Sequence, residues 1–248
     1  MAKLYRSAAR EAAEQRAIMT RLSAKYEGRL RREIARAMNK AARAYVKSGQ
    51  AGATQALQGH SENIERILTP LWTNSIEIMG ERLRKKSEKS EFYESIIKNW
   101  FVEFAYEKIK RIAGTTREQL NRIIIGGVSE GLGTDGIGKL IRERVPGLSR
   151  YRAHVIARTE VHASGNYGSM RTANNIDPQL KKEWIAVNDD RTRGEDPSDE
   201  FDHMAANGQT VNMDKPFVVS GEPLMYPGDP SGSAGNIINC RCVIGYVR

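Results

Sequence analysis

Proline is distributed so unevenly along this 248-residue chain that it constrains the fold more than any other feature. The first proline is Pro70, and six of the eight lie at or after Pro178. Because proline lacks a backbone N–H and its ring clashes with the preceding helical turn, long helices form where it is absent. We therefore expect helices in the front part of the chain, and turns with short strands after Pro178.

The segment after Pro178 contains short apolar runs that favour β-strands. These runs are residues 182–187, 210–212, 217–219 and 242–247, separated by long loops rich in glycine and proline. Farther upstream, Thr115 and Ser149 are candidate helix caps, and Pro146-Gly147 is a candidate helix end. The predicted fold class is therefore α+β, with an extended, mainly helical N-terminal region followed by a small mixed α+β C-terminal domain.

The sequence over residues 3–47 has the period of one long helix. Apolar or aromatic residues recur at steps of four and three, which places them on one helical face. They are Ile18, Leu22, Tyr26, Leu30, Ile34, Met38, Ala42 and Tyr45. A helix over residues 3–47 would reach about 67 Å, so we expect part of the helix to pack against another chain or to project.

A stripe of basic residues runs beside that apolar face. Residues 1–47 contain 13 Lys/Arg and 4 Asp/Glu, so this segment accounts for the whole net charge of +9. The basic stripe consists of Arg21, Lys25, Arg29, Arg32, Arg36, Lys40, Arg43 and Lys47. Such a row neutralises phosphates without reading bases, which predicts contact with DNA or with an acidic protein partner.

The most specific pattern lies between Trp184 and Cys242. The chain reads W-x4-D-D-R-T-R at 184–193, H-x4-G-Q-T-V at 203–211, F-V-V-S-G at 217–221, L-M-Y-P-G-D-P at 224–230 and N-C-R-C at 239–242. This ordered series resembles the C-terminal domain of phage Mu F-like minor head proteins, the family also called SPP1-type head morphogenesis proteins. The segment Ala157–Val161, with Asn166 and Gly168 after it, fits the same family, so the resemblance covers about residues 115–247.

The resemblance implies how the chain is organised. Residues 1–113 would be a helical docking region that begins with the basic helix. Residues 114–248 would be the Mu F-like minor head domain, with helices over 115–175 and a small β unit over 177–248.

The resemblance also implies a function. Members are structural minor head, or minor capsid, proteins of tailed phages that act in head morphogenesis near the portal, and they are not enzymes. Their implied partners are the portal protein, the major capsid or scaffold protein and packaged double-stranded DNA, with multiple copies per particle. The implied location is the virion, in the capsid interior or at the portal vertex, with assembly in the host cytoplasm. No membrane is expected, because no apolar run approaches the ~20 residues that span a bilayer.

The alternative is a nucleic-acid-processing enzyme, a nuclease or toxin-like hydrolase, that uses the C-terminal domain. Related tail domains are similar to modules found beside toxins. Asp189, Asp190, Asp196 and Asp199 could hold Mg²⁺ in such an enzyme. The arginines between these carboxylates favour a self-neutralising polar loop instead, so we predict no catalytic residue.

Some residues of the motif are predicted to be structural. They are Arg158, Glu160, Trp184, Asp190 and Arg193. Two positions apart on a helix, Arg158 and Glu160 point in different directions, so we expect them to tie the last helix to the loops of the β unit. Trp184 and the closing strand are expected to supply a small apolar core.

His203, Cys240 and Cys242 are residue types that zinc prefers. On a strand, two cysteines two residues apart face the same side, so both sulfurs could reach one ion. The usual Cys-x2–4-Cys spacing is absent, however, and the family places its histidine nearer to the Thr-Arg pair than His203 lies. The alternative is that both cysteines are small, buried and reduced. The sequence therefore predicts no required cofactor and leaves zinc as an alternative for these three residues.

Overall fold

The computed structural model describes residues 8–83 and 91–247. Its helices are α1 (Ala8–Ala56), α2 (His60–Glu81), α3 (Glu91–Trp100), α4 (Tyr106–Ser129), α5 (Thr134–Ile176) and α6 (Ala234–Ile237). Its strands are β1 (Lys181–Ile185), β2 (Thr210–Asn212), β3 (Phe217–Val219), β4 (Glu222–Leu224) and β5 (Val243–Val247). A π-helical turn, Phe101–Ala105, joins α3 to α4. Long helices followed by short antiparallel strands confirm the predicted α+β class. No helix in the two described ranges is apolar over enough residues to cross a membrane.

Two compact units make up the chain, and each is assembled from segments that are distant in sequence. The first unit comprises Met1–Ser23, Pro70–Glu103 and Arg158–Arg248, and the second comprises Ala24–Thr69 and Phe104–Ala157. Both units take residues from both sides of position 113, where the predicted docking region ends. The division into a docking region and a head domain therefore stays a prediction about function.

The first helix follows its predicted period. Positions 3–7 lie outside the described residues, and α1 then runs to Ser48 and Gly49, where non-helical backbone angles kink it. From Leu22 to Tyr45, every member of the apolar face is at most 7% exposed. The expectation that the helix packs against another chain or projects is wrong for this part of it, because the chain itself buries the face from Leu22 to Tyr45.

Two predicted helix boundaries are wrong. α4 continues through Thr115, whose Oγ1 donates to Arg111 O at 2.9 Å. α5 continues through Pro146, and Ser149 Oγ donates to Pro146 O at 3.3 Å. Inside a helix, the hydroxyl groups of serine and threonine donate hydrogen bonds to carbonyl groups of the preceding turn. These two hydroxyl groups therefore have hydrogen-bond partners without capping the start of a helix.

The strands lie in the first unit and form two antiparallel sheets. β1 is the centre of a three-stranded sheet in the order β2-β1-β5, and Trp184 on β1 lies opposite Ile244 on β5. The side-chain amide of Gln15 on α1 donates to Ile244 O at 3.1 Å, which joins the first helix to the last strand. β3 and β4 form a separate pair. β4 was not predicted, because Pro223 at its centre argues against a strand.

An aromatic cluster forms part of the core of the first unit. The ring centroids of Trp72 and Trp100 lie 6.1 Å apart, those of Trp100 and Tyr167 lie 5.2 Å apart, and those of Tyr167 and Tyr226 lie 5.7 Å apart. Such aromatic pairs add to the stabilisation from apolar burial. In the second unit, buried side chains come from four helices: Tyr26, Leu30, Ile34, Ile64, Leu68, Leu120, Ile124, Ile137 and Ile141.

Candidate functional site

Three buried side chains with metal-binding atoms meet in the first unit. His203, Cys240 and Cys242 are at most 3% exposed, and their ligand atoms all lie within 4.8 Å of one another. His203 Nδ1 is 3.6 Å from Cys240 Sγ and 3.5 Å from Cys242 Sγ. The structure thus brings together all three residues that the sequence named for zinc. Elsewhere in the described part of the chain, no other group of His, Cys, Asp and Glu side chains offers three such ligand atoms.

Irregular segments, rather than one regular element, position these three residues. Cys242 directly precedes β5, and Cys240 lies between α6 and β5. The segment is anchored to α5, because the backbone N–H of Asn239 donates to Thr159 Oγ1 at 2.9 Å. His203 lies in the loop between β1 and β2, where its backbone N–H donates to Arg193 O at 2.9 Å.

Asn236 on α6 sets the orientation of the His203 ring. Its Nδ2 donates to Val219 O at 3.0 Å and to Glu222 Oε2 at 3.2 Å, which leaves its Oδ1 as an acceptor. His203 Nε2 lies 2.7 Å from that Oδ1 and therefore carries a proton. Nδ1 then faces the two sulfurs, with a lone pair in the neutral ring and as a donor in the protonated ring. The sequence did not indicate a role for Asn236, because this residue lies on a one-turn helix between the L-M-Y-P-G-D-P and N-C-R-C segments.

The cluster stabilises a thiolate. The hydrogen bond from Cys242, together with that from His203, holds the pKa of Cys240 well below its usual range despite burial. The pKa of Cys242 lies well above its usual value, because it donates to Cys240 and is buried. Burial lowers the pKa of His203, but its interaction with Cys240 outweighs burial and raises that pKa overall. A thiolate is the form of cysteine that binds metals and reacts as a nucleophile.

Trp184 packs against this cluster. Its ring centroid lies 5.6 Å from that of His203 and 5.5 Å from that of Phe217, and the side chain is fully buried. Trp184 therefore lies in the apolar core of the small β unit, where the sequence places it.

Asp189, rather than Asp190, makes the main ion pair of the motif. The carboxylate of Asp189 accepts two hydrogen bonds from Arg241, at 2.6 and 2.5 Å. These hydrogen bonds hold the pKa of Asp189 well below its usual range. Asp190 is 90% exposed and lies 3.9 Å from Arg191. The sequence named Asp190 as the structural residue, because position alone does not distinguish two adjacent carboxylates.

The remaining residues of this loop make local contacts. Arg193 donates to Ile238 O. Asp196 accepts hydrogen bonds from the backbone and side chain of Ser198, and Asp199 accepts one from the backbone of Gly194. These carboxylates stabilise turns in the loop, so the geometry does not favour the Mg²⁺ site of a nuclease.

Arg158 and Glu160 on α5 have different partners. Arg158 Nη1 donates to Asn239 Oδ1 at 3.0 Å, which ties α5 to the loop before Cys240. Glu160 accepts a hydrogen bond from Trp72 on α2, a contact that the sequence did not predict. Farther along α5, Asn166 Nδ2 donates to the carbonyl groups of Pro227 and Cys242 at 2.9 and 3.2 Å. This part of α5 therefore serves as a scaffold for the β unit.

The whole basic stripe faces solvent. The stripe consists of Arg21, Lys25, Arg29, Arg32, Arg36, Lys40, Arg43 and Lys47, each of them exposed. Arg36 forms an ion pair with Glu33, and the cationic groups of Lys25 and Arg29 lie 5.4 and 5.9 Å from the Tyr26 ring centroid. The stripe thus runs along the outside of α1, as its period predicts.

A second buried polar cluster, not predicted from the sequence, lies in the second unit. His60 Nδ1 is 3.1 Å from Glu33 Oε1, and His60 Nε2 is 3.3 Å from Thr116 Oγ1. Burial is the main reason that the pKa of His60 is lowered. A cavity of about 200 Å³ lies beside it, lined in part by Arg36 and Lys40. Thr116, His60 and Glu33 are arranged in the order of a catalytic triad. Thr116 is fully buried, however, so its hydroxyl is not an exposed nucleophile.

Comparison with known proteins identifies one family. The model of the family described as phage Mu protein F like protein matches residues 118–245, slightly more than half of the chain. An uncharacterized protein of Bacillus subtilis (strain 168), YqbB, is 23% identical over 151 residues, which cover 60% of this chain and 48% of YqbB. The matched region thus spans about half the length of that relative. No solved structure matches the chain significantly.

Proposed function

Because the chain belongs to the phage Mu protein F like family, we propose that it is a structural minor head protein of a tailed phage. The match over residues 118–245 is the observation that carries this proposal, and it points to a role in head morphogenesis. The role requires no catalysis. The contacts of Asp189, Asp196 and Asp199 with arginine and backbone groups support a structural rather than a catalytic loop.

The proposed place of action is the virion, in the capsid interior or at the portal vertex, in multiple copies per particle. The portal protein and the major capsid or scaffold protein are its proposed protein partners during assembly in the host cytoplasm. Exposed large apolar side chains in the second unit, at Tyr106, Ile125, Val128 and Tyr151, offer contacts for such partners.

Packaged double-stranded DNA is the proposed partner of the basic stripe. The exposure of all eight side chains supports this contact. Binding of this kind is independent of base sequence and releases counterions, so it weakens steeply with salt.

Mass spectrometry of purified particles, with and without their DNA, tests the main proposal. The protein should be present in mature heads and in DNA-free heads. Its absence from both kinds of particle would limit the protein to a transient role in assembly and contradict a virion location.

A four-site variant tests the DNA contact. Arg32, Lys40, Arg43 and Lys47 are replaced by Gln, which keeps helix propensity almost unchanged. Duplex DNA binding should weaken, and the slope of log affinity against log salt should flatten by about one for each phosphate that is no longer neutralised.

The matched control removes the same charge from exposed positions of α4 and α5. It replaces Arg117, Arg122, Arg142 and Arg144 by Gln, and its salt slope should stay close to that of the parent chain. Equal losses of affinity in both variants would mean that net charge, rather than the stripe, attracts DNA. Unchanged DNA affinity with absence of the four-site variant from heads would show that the stripe binds an acidic protein instead.

A further inference from the structure

The distances in the cysteine–histidine cluster match one tetrahedral ion. A zinc ion takes imidazole nitrogen at about 2.0–2.1 Å and thiolate sulfur at about 2.3 Å, which at a tetrahedral angle separates N from S by about 3.6 Å. His203 Nδ1 lies 3.6 Å from Cys240 Sγ and 3.5 Å from Cys242 Sγ. Both nitrogen–sulfur distances therefore fit a common centre, and all three ligand atoms lie within 4.8 Å of one another.

Hydrogen bonding to His203 accounts for only one of these two contacts. The Nδ1 atom has a single lone pair, so it accepts a hydrogen bond from only one thiol, and the other sulfur is held by the hydrogen bond between the two cysteines. A divalent cation explains both distances, because one lone pair and two thiolates can bind it together. Two thiolates and one Zn²⁺ also leave the buried centre without net charge.

The groups around the cluster are arranged as they are around metal ligands. A ligating histidine usually donates its other ring N–H to an oxygen acceptor, which fixes the tautomer and the ring orientation. Asn236 Oδ1 accepts from His203 Nε2 at 2.7 Å, and Asn236 is itself held by Glu222 and Val219. Arg241, which lies between the two cysteines, is fixed by Asp189.

From this geometry we infer that the chain binds one Zn²⁺ ion through His203 Nδ1 and the sulfurs of Cys240 and Cys242. Asn236 is a positioning residue that aims Nδ1 at the ion. A cavity of about 10 Å³ lies beside the three ligands, bordered by Arg191 and Thr192 among others. This volume is at the lower limit for one water molecule, which completes the four-coordinate site.

The ion would have a structural role in the first unit. His203 lies in the long irregular loop between β1 and β2, whereas Cys242 directly precedes β5. Zinc would join this long loop to the closing strand, so its binding free energy would add to that of folding.

Elemental analysis of the full-length chain tests the inference. The protein is produced with added zinc, kept reduced and dialysed, and it should retain one zinc per chain. Replacement of zinc by Co²⁺ should give thiolate-to-metal charge-transfer absorption and the visible bands of a tetrahedral ion. A zinc chelator should lower the melting temperature and speed the alkylation of both thiols.

Variants separate the ligands from other residues. Cys240→Ser, Cys242→Ser and His203→Ala should each abolish zinc binding, and Asn236→Ala should bind zinc about 10–100-fold more weakly. His154→Gln is the control, since this partly exposed histidine lies in the second unit and its replacement should leave one zinc per chain. Protein that holds no zinc after production with added zinc, and that melts at the same temperature with and without chelator, overturns the inference. A disulfide between the two cysteines in protein kept reduced overturns it as well.

Discussion

The indole N–H of Trp72 donates a 2.8 Å hydrogen bond to Glu160 Oε2, which joins α2 to α5 inside the first unit. Trp72 is fully buried, and Glu160 is 4% exposed. A buried carboxylate is stable only while donors surround it. The acidic residue of the Arg-Thr-Glu segment therefore contributes to the packing of the two helices, which is a structural role.

Replacement of Glu160 by Ala should lower the free energy of unfolding by about 2–3 kcal/mol, because the Trp72 N–H is then buried without its acceptor. Replacement by Gln keeps an acceptor oxygen of the same size and should cost clearly less. Urea denaturation of both variants measures the difference. Equal destabilisation by Ala and Gln would show that charge, rather than this hydrogen bond, stabilises the contact.

Replacement of two glycines of α5 by alanine should change the stability of the protein in opposite directions. A Cβ at Gly168 would lie 2.7 Å from the Ile76 backbone, whereas a Cβ at Gly147 would have no neighbour within 4 Å. Gly168→Ala should therefore force α2 and α5 apart and cost about 1–3 kcal/mol. Gly147→Ala should gain about 0.4–1 kcal/mol, since it only restricts the unfolded chain. Thermal denaturation of the two variants gives the sign, and a stable Gly168→Ala protein would contradict the close approach.

Asn substitutions at the adjacent positions 189 and 190 test the ion pair with Arg241. Asp189→Asn should lower stability by about 1 kcal/mol, because the pair is partly exposed, and Asp190→Asn should change it little. The pKa of Asp189 is depressed in the folded chain, so its contribution is present above the unfolded value near 3.8 and is lost as pH falls below it. The free energy of unfolding of Asp189→Asn should therefore fall less than that of Asp190→Asn as the pH is lowered from neutral.

Lys182 is a fully buried cation on β1. Its Nζ donates to Met225 O at 2.7 Å and lies 5.2 Å from the Phe217 ring centroid. Burial lowers the pKa of Lys182 to about 8, although the charges of Asp229 and Asp214 oppose this shift. The folded chain thus releases this proton more readily than the unfolded chain does.

A Lys182→Met variant should consequently lose part of the pH dependence of stability. Between pH 8 and 10.5 the unfolded chain binds more protons at this site, so Lys182 makes stability rise with pH. The slope from one group is at most about 1.4 kcal/mol per pH unit. Lys181→Met, at the exposed neighbouring position, is the control and should keep the slope of the parent chain. Urea denaturation across this range measures both, and parallel curves for the two variants would refute the assignment.

The sequence predicts those parts of the fold that depend on periodicity. The apolar face of α1 follows the helical period and is buried as a continuous stripe, and the strands β1, β2, β3 and β5 lie within two residues of their predicted bounds. Helix ends were predicted less well. At Pro146, local chemistry favours a break, but Ile141, Val145, Ala153 and Ile156 are buried on both sides of it, and this packing keeps α5 continuous.

The candidate site was likewise predicted only in part from the sequence. The residue types at 203, 240 and 242 indicate a metal site, but no sequence period places a loop histidine beside two cysteines. Their convergence depends on tertiary contacts such as those of Asn236, whose partners come from β3 and β4. The choice of Asp189 over Asp190 also depends on the direction in which Arg241 points, which only the folded chain fixes.

The hydrogen bond from Gln15 to Ile244 spans 229 residues, and it has a consequence for synthesis on the ribosome. At about 5–20 residues per second, α1 emerges roughly 10–45 s before the strand that completes its contacts. During that interval the side-chain amide of Gln15 lacks the Ile244 carbonyl that accepts its hydrogen bond. A polypeptide released before β5 is translated cannot make this contact. The contact between α1 and β5 can therefore form only after β5 has left the ribosome.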